Sequence, residues 1–156
     1  RKPVSQERPL PNSARFETSY QPGKVEAISY VDGKAVRRTV LETTSKPVSM
    51  RLVPEKVQMK ADGHDLIYVG IELLDEDGKI VPDAALALTA NVSGCAELAG
   101  FGSANPITNE DYTDEHAVSY RGRAMAILRS SYEDGVAELT VSADGMETVK
   151  LKLSVK

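Results

Sequence analysis

Val149-Lys150-Leu151-Lys152-Leu153-Ser154-Val155 alternates apolar and polar residues without a break. A period of two puts Val149, Leu151, Leu153 and Val155 on one face of a strand and Lys150, Lys152 and Ser154 on the other. The pattern predicts a half-exposed strand laid over a core, and the lysines discourage edge-to-edge pairing. Upstream, Val136-Ala137-Glu138-Leu139-Thr140-Val141 repeats the pattern, with Ala137, Leu139 and Val141 on one face. Asp144-Gly145 stands between the two runs, and Asp-Gly is a strong hairpin signal.

The same reading extends toward the N-terminus. Asp-Gly recurs at Asp32-Gly33, Asp62-Gly63, Asp77-Gly78 and Asp134-Gly135, a spacing that leaves little room for long helices. Asp32-Gly33 separates Val25–Val31 from Lys34–Val40 and predicts a type I′ turn, which needs positive φ at both central residues. Leu66–Leu74 is nearly all apolar, as in a central strand, and Ala85–Val92 and Ala124–Leu128 read as further strands. Asn109–Ser130 has few breakers, yet Ser119-Tyr120 and Ile127-Leu128 favour a loop followed by a strand. Short strands with regular turn signals point to an all-β, immunoglobulin-like sandwich. Arg1–Arg15, with Pro3, Pro9 and Pro11, reads as an extended connector.

A chain of 156 residues has room for one domain, or one plus part of another. With 41% apolar and 27% charged residues it can bury a core. The net charge of −4 is scattered, with no basic stripe to neutralise phosphates, so nucleic acid is not an expected partner. No apolar run approaches the length of a membrane helix, and membrane insertion is not expected. The sequence opens on Arg1 rather than Met and reads as a fragment of a longer protein. Cys95, the lone cysteine, cannot form an intramolecular disulfide and reads as a small buried hydrophobe. A zinc site would have to rest on His64, His116 and carboxylates. No metal or other cofactor is expected.

The chemical motifs fail on their spacing. In Asp75-Glu76-Asp77-Gly78 the glycine comes at position four of a calcium loop instead of six, and Leu86 stands where the bidentate glutamate belongs. A solvated turn is the expectation there. Glu110-Asp111 and Asp114-Glu115 cluster acids, but nothing places two carboxyls across a sugar as glycoside cleavage requires. Gly100-Phe101-Gly102-Ser103-Ala104 has the wrong order for a nucleophile elbow, and its glycines read as a bulge or bend at a strand end. Asn91-Val92-Ser93 matches a glycosylation triplet that arises often by chance. A carbohydrate site would use Asn105, Asn109, Tyr112 and Tyr120, gathered in the least regular segment. The absence of Trp weighs against it.

One resemblance covers the chain from about Tyr20 onward. Tyr20-Gln21-Pro22-Gly23-Lys24-Val25-Glu26-Ala27-Ile28-Ser29-Tyr30 followed by Asp32-Gly33-Lys34 resembles the end of an accessory β-sandwich domain in glycoside hydrolase family two. Leu52-Val53-Pro54, Ala61-Asp62-Gly63-His64-Asp65-Leu66 and Asp77-Gly78-Lys79-Ile80-Val81-Pro82 resemble the start of the C-terminal immunoglobulin-like domain of bacterial β-galactosidase-like enzymes. Leu98–Pro106 and Tyr120–Ser130 resemble later segments of that domain, with Ala104 where a glycine or asparagine is expected.

The resemblance implies a division into residues 1–44, the tail of one sandwich domain, and 45–156, a complete terminal one. It implies a non-catalytic accessory module whose partners are the catalytic barrel and other domains of a parent glycosidase. No catalytic residue is carried over, because none of the barrel is present. It also implies a periplasmic or extracellular location. A carbohydrate-binding module of the same enzyme, with a glycan as partner, is one alternative. An adhesin or invasin-type immunoglobulin-like repeat is another, since such repeats share the Ala-Asp-Gly opening.

Overall fold

The computed structural model describes residues 6–7 and 15–156. The chain divides into two compact units, Arg1–Thr43 and Thr44–Lys156. Among the described residues every regular element is a strand.

In the first unit, β1 (Gln6–Glu7) pairs antiparallel with β2 (Arg15–Phe16). The rest of the expected connector, Arg1–Arg15, lies outside the described residues. A two-stranded ribbon follows, β3 (Lys24–Val31) against β4 (Lys34–Glu42). Asp32 (φ 47°) and Gly33 (φ 76°) both take positive φ, which is the type I′ geometry expected of Asp-Gly. Glu26 pairs with Arg38 across this ribbon, and Lys24 with Glu42 at 3.3 Å.

The second unit is a β-sandwich. It runs β5 (Ser49–Pro54), β6 (Gln58–Met59), β7 (Leu66–Leu74), β8 (Ala87–Gly94), β9 (Ala96–Gly102), β10 (His116–Val118), β11 (Arg123–Ser130), β12 (Gly135–Ala143) and β13 (Val149–Val155). One sheet has the order β5-β7-β11-β9 and the other β10-β8-β12-β13-β6. The alternation seen in the sequence becomes the core. Ile67, Val69, Ile71 and Leu73 of β7 are fully buried, as are Ala137, Leu139 and Val141 of β12. Burying each larger aliphatic side chain contributes roughly 1.5–3 kcal/mol. Small residues, Ala90, Ala124, Ala126 and Ala137, fill the same core beside Phe101 and Met59, as dense packing of unequal side chains requires.

Three sequence expectations shift. The strand read at Ala85–Val92 is Ala87–Gly94. On β13 Leu153 and Val155 are buried, while Val149 and Leu151 are only partly covered. The strand is flanked on its second side as well, because Ser154 and Val155 pair in parallel with Gln58 and Met59. Finally, within this sandwich only Asp144-Gly145 joins adjacent strands of one sheet. Asp62-Gly63 and Asp134-Gly135 lie on crossovers between the sheets, and Asp77-Gly78 closes a short return that bridges Leu74 to Ile80. Crossovers need reversals as tight as hairpins do, so the dipeptide marks both.

Candidate functional site

The outer face of the four-stranded sheet is built around glycines. Gly100 and Gly102 alternate with Phe101, whose ring points into the core and is 2% exposed. With no side chains on the outer face there, the surface is hollowed. β9 reaches this stretch through a bulge: Ile127 lies opposite Gly100 but Leu128 opposite Leu98, leaving Ala99 as the extra residue. The bend expected of these glycines is therefore present, just before the strand end. Ala104 is outside the left-handed region, where Asp32 and Arg121 are the non-glycine residues among those described. Its Cβ is no obstacle to the chain path.

Tyr112 returns over this hollow. Its carbonyl accepts the amide of Phe101 at 2.8 Å, and its ring lies on Gly102, where a Cβ would stand 2.6 Å from Cε1. The ring, Met125 and Ile127 wall a cavity of about 340 Å³ over Gly100–Ala104. The Oγ of Ser103, at its margin, is buried and makes no hydrogen bond among the described residues.

Register places this cavity within two apolar rows. In the first, Val53 faces Gly70, Gly70 faces Met125 and Met125 faces Gly102; in the second, Tyr68 faces Ile127 and Ile127 faces Gly100. Val53, Tyr68, Met125 and Tyr112 are 40–50% exposed. Charged rows close both ends. Arg51 grips Glu72 at 2.5 Å with Arg123 at 3.8 Å from the same carboxylate, and Arg129 meets Glu97 at 3.2 Å. The five-stranded sheet presents a different outer face, with Glu138 between Lys150 and Lys152 at 3.1 and 3.8 Å.

The residues proposed from sequence for a carbohydrate site do not converge on this cavity. Tyr112 lines it, while Tyr120, Asn105 and Asn109 are not among its lining residues. Tyr120 instead sits under the Arg121 guanidinium, 5.5 Å from ring centroid to Cζ, at a two-residue turn where Arg121 (φ 52°) and Gly122 (φ 70°) are both left-handed. The Oδ1 of Asn105 accepts the amide of Ile107 at 3.1 Å and shapes its own loop. Asn109 is exposed.

The acids of the same loop hold its backbone and that of β10. Glu110 accepts the amide of Val118 at 2.7 Å, and Asp114 that of Glu115 at 2.6 Å. Asp111 accepts both the amide and the hydroxyl of Thr113, which hold its pKa below the ordinary carboxylate value. His116 bonds Thr89 at 3.1 Å, and His64 stacks edge-on against Tyr132 at 6.2 Å. Among the described residues no group of three or more His, Cys, Asp or Glu is placed to hold a metal ion. Cys95 is partly buried beside the core, its Sγ 3.6 Å from the carbonyl of Asp134.

Asp75 departs from expectation. It is 3% exposed rather than solvated. Its Oδ1 accepts the amides of Lys79 at 2.8 Å and Asp77 at 3.0 Å, and Oδ2 accepts that of Ser45 at 3.2 Å. The Lys79 amide first, then those of Ser45 and Asp77, outweigh burial and hold its pKa below 3.8. The side chain organises the turn.

A family model described as glycoside hydrolase family 2 C-terminal domain 5 matches residues 50–152. The chain belongs to glycoside hydrolase family 2. Beta-galactosidase BoGH2A of Bacteroides ovatus is 32% identical over 141 residues, covering 90% of this chain and 17% of the relative. A solved family 2 member from Bacteroides cellulosilyticus superposes with TM-score 0.87 at 28% identity, over 90% of this chain and 18% of the other. A β-glycosidase from Bacteroides vulgatus gives 0.81 at 30% identity, over 95% of this chain and 19% of the other. The chain thus spans less than a fifth of the length of each of these glycosidases, and it has the fold of their C-terminal β-sandwich.

Proposed function

We propose that the chain is a non-catalytic accessory module of a β-galactosidase-like family 2 enzyme, bracing its catalytic barrel or a subunit interface. One observation carries this reading: the chain corresponds to a C-terminal domain and to only 17% of a β-galactosidase relative. The engagement of Glu110, Asp111 and Asp114 with backbone amides of the loop and of β10 supports it, because a hydrolytic pair must face a sugar across a cleft. The family match weighs against an adhesin-type repeat. The nearly all-apolar walls of the hollow beside Tyr112 weigh against a sugar site, which needs several converging polar groups. The same reading carries a periplasmic or extracellular location, which fractionation of the source cells would check.

The deciding experiment compares three proteins on a chromogenic galactoside: the full-length enzyme, the enzyme lacking residues 45–156, and the 156-residue chain alone. The expected result is no turnover by the chain and a fall in thermal stability of the shortened enzyme. Turnover by the chain would overturn the proposal. So would saturable glycan binding by the chain that disappears in Tyr112→Ala, in favour of a carbohydrate-binding module.

A further inference from the structure

We infer that the outer face of the β5-β7-β11-β9 sheet is a docking surface for another domain of the same polypeptide. The facing domain presents an apolar side chain that enters the hollow beside Tyr112 and a carboxylate that meets Arg51 and Arg123. The inference rests on the accessory-module reading and adds which face is used and what covers it.

The two outer faces of the sandwich differ in kind. The five-stranded sheet shows Asn91, Thr89, Glu138, Thr140 and two lysines on its outer face, with Val118 and Val136 as the large apolar side chains exposed on its strands. The four-stranded sheet shows contiguous apolar rows closed at both ends by ion pairs. An apolar centre with a polar rim is the anatomy of an interface. Glycines on three of the seven positions in those rows lower the floor, so a partner's side chain can enter instead of resting on top.

The charges state the partner's chemistry. Arg129 and Glu97 cancel, but Arg51 and Arg123 share the single carboxylate of Glu72, leaving one positive charge at that rim. An acidic side chain opposite completes the set.

Area argues for a tethered partner over a second copy. Four strands roughly 4.8 Å apart and a four-residue height of roughly 13 Å give about 250 Å² of apolar band. A stable interface between free proteins needs about 800 Å² per partner. A domain tethered by a short linker works at about millimolar effective concentration and needs less. The relatives place more than four fifths of their length outside the matched region.

Hydroxyl-radical footprinting of Tyr68, Tyr112 and Met125 tests this in the 156-residue chain and in the full-length enzyme. All three are expected to react in the isolated chain and to lose reactivity several-fold in the enzyme, at every protein concentration. Met125→Asp is expected to restore reactivity of Tyr68 and Tyr112 in the enzyme while the isolated chain keeps a single cooperative melting transition. Equal reactivity in chain and enzyme would overturn the inference. Protection of the isolated chain that grows with its own concentration, or that appears only with added galacto-oligosaccharide, would overturn it too, in favour of a second copy or a glycan. If the face stays reactive while removal of residues 45–156 still destabilises the enzyme, the docking face alone is wrong. If removal leaves the enzyme's stability untouched, the accessory reading has failed.

Discussion

The ring of Tyr112 rests on Gly102, and the two positions are sterically coupled: a methyl group at Gly102 requires the ring to move. Because the ring is 50% exposed, it can swing aside. Gly102→Ala is therefore expected to cost about 1 kcal/mol, and appreciably less in a Tyr112→Ala background. A double-mutant cycle by urea denaturation measures the difference. Additive effects would show that the ring does not occupy this place in solution.

Gly122 has no such escape. It is left-handed at φ 70°, and a Cβ would stand 3.0 Å from the carbonyl carbon of Val81 and closer to its oxygen. The obstacle is backbone, and the amide of Gly122 is tied to Ala84 at 3.0 Å. Gly122→Ala is expected to destabilise by more than about 2 kcal/mol. Arg121→Gly, at the neighbouring left-handed position, should be neutral or mildly stabilising by thermal melt.

Asp75 governs part of the acid response. Its pKa in the folded chain lies below the ordinary 3.8. The carboxylate thus adds stability at pH values above about 4, and that stability drains away as pH falls through the lowered value. Asp75→Asn should lower the melting temperature at pH 7, since an amide offers one acceptor oxygen in place of two. It should also flatten the loss of stability between about pH 5 and pH 2. Asp62, Asp65 and Asp111, lowered in the same direction, retain the remainder of the slope.

The inner and outer faces of one sheet give a further contrast. Leu139 is fully buried, and Leu139→Ala is expected to cost about 3 kcal/mol through lost burial and the cavity left behind. Lys152 is 74% exposed and 3.8 Å from Glu138, so Lys152→Ala should change stability by less than about 0.5 kcal/mol. Equilibrium unfolding of both variants would show whether the alternation of β12 and β13 has the assigned hand.

The sandwich was readable in the sequence because its strands obey a local rule. Alternation in Val136–Val141 and Val149–Val155 reports burial directly, and Asp32-Gly33 reports the backbone of its turn. What escaped is non-local. Nothing in the sequence near Asp75 announces the amide of Ser45, thirty residues upstream. The two residues of β6 are too short to show any period, although Gln58 and Met59 complete a sheet. Arg121 hides a left-handed residue, since only the glycine beside it signals a turn. Tyr112 and Tyr120 read as neighbours in one irregular segment, yet β10 intervenes, and only Tyr112 reaches the glycine hollow. The signal for that hollow was present in the Gly100-Phe101-Gly102 spacing, which leaves a strand bare on one face. What lies across from it, Met125 and Ile127, depends on pairing with a strand more than twenty residues away.

The parallel pairing of β6 with β13 has a mechanical consequence. Tension applied between Gln58 and Lys156 would pull these strands lengthwise past one another, so that their hydrogen bonds are loaded together instead of being unzipped singly. The bonds from Ser154 to Val57 (3.0 Å), Lys156 to Met59 (2.9 Å) and Ala61 to Lys156 (2.9 Å) form that clasp. A strand of two residues would thereby share such a load over three hydrogen bonds.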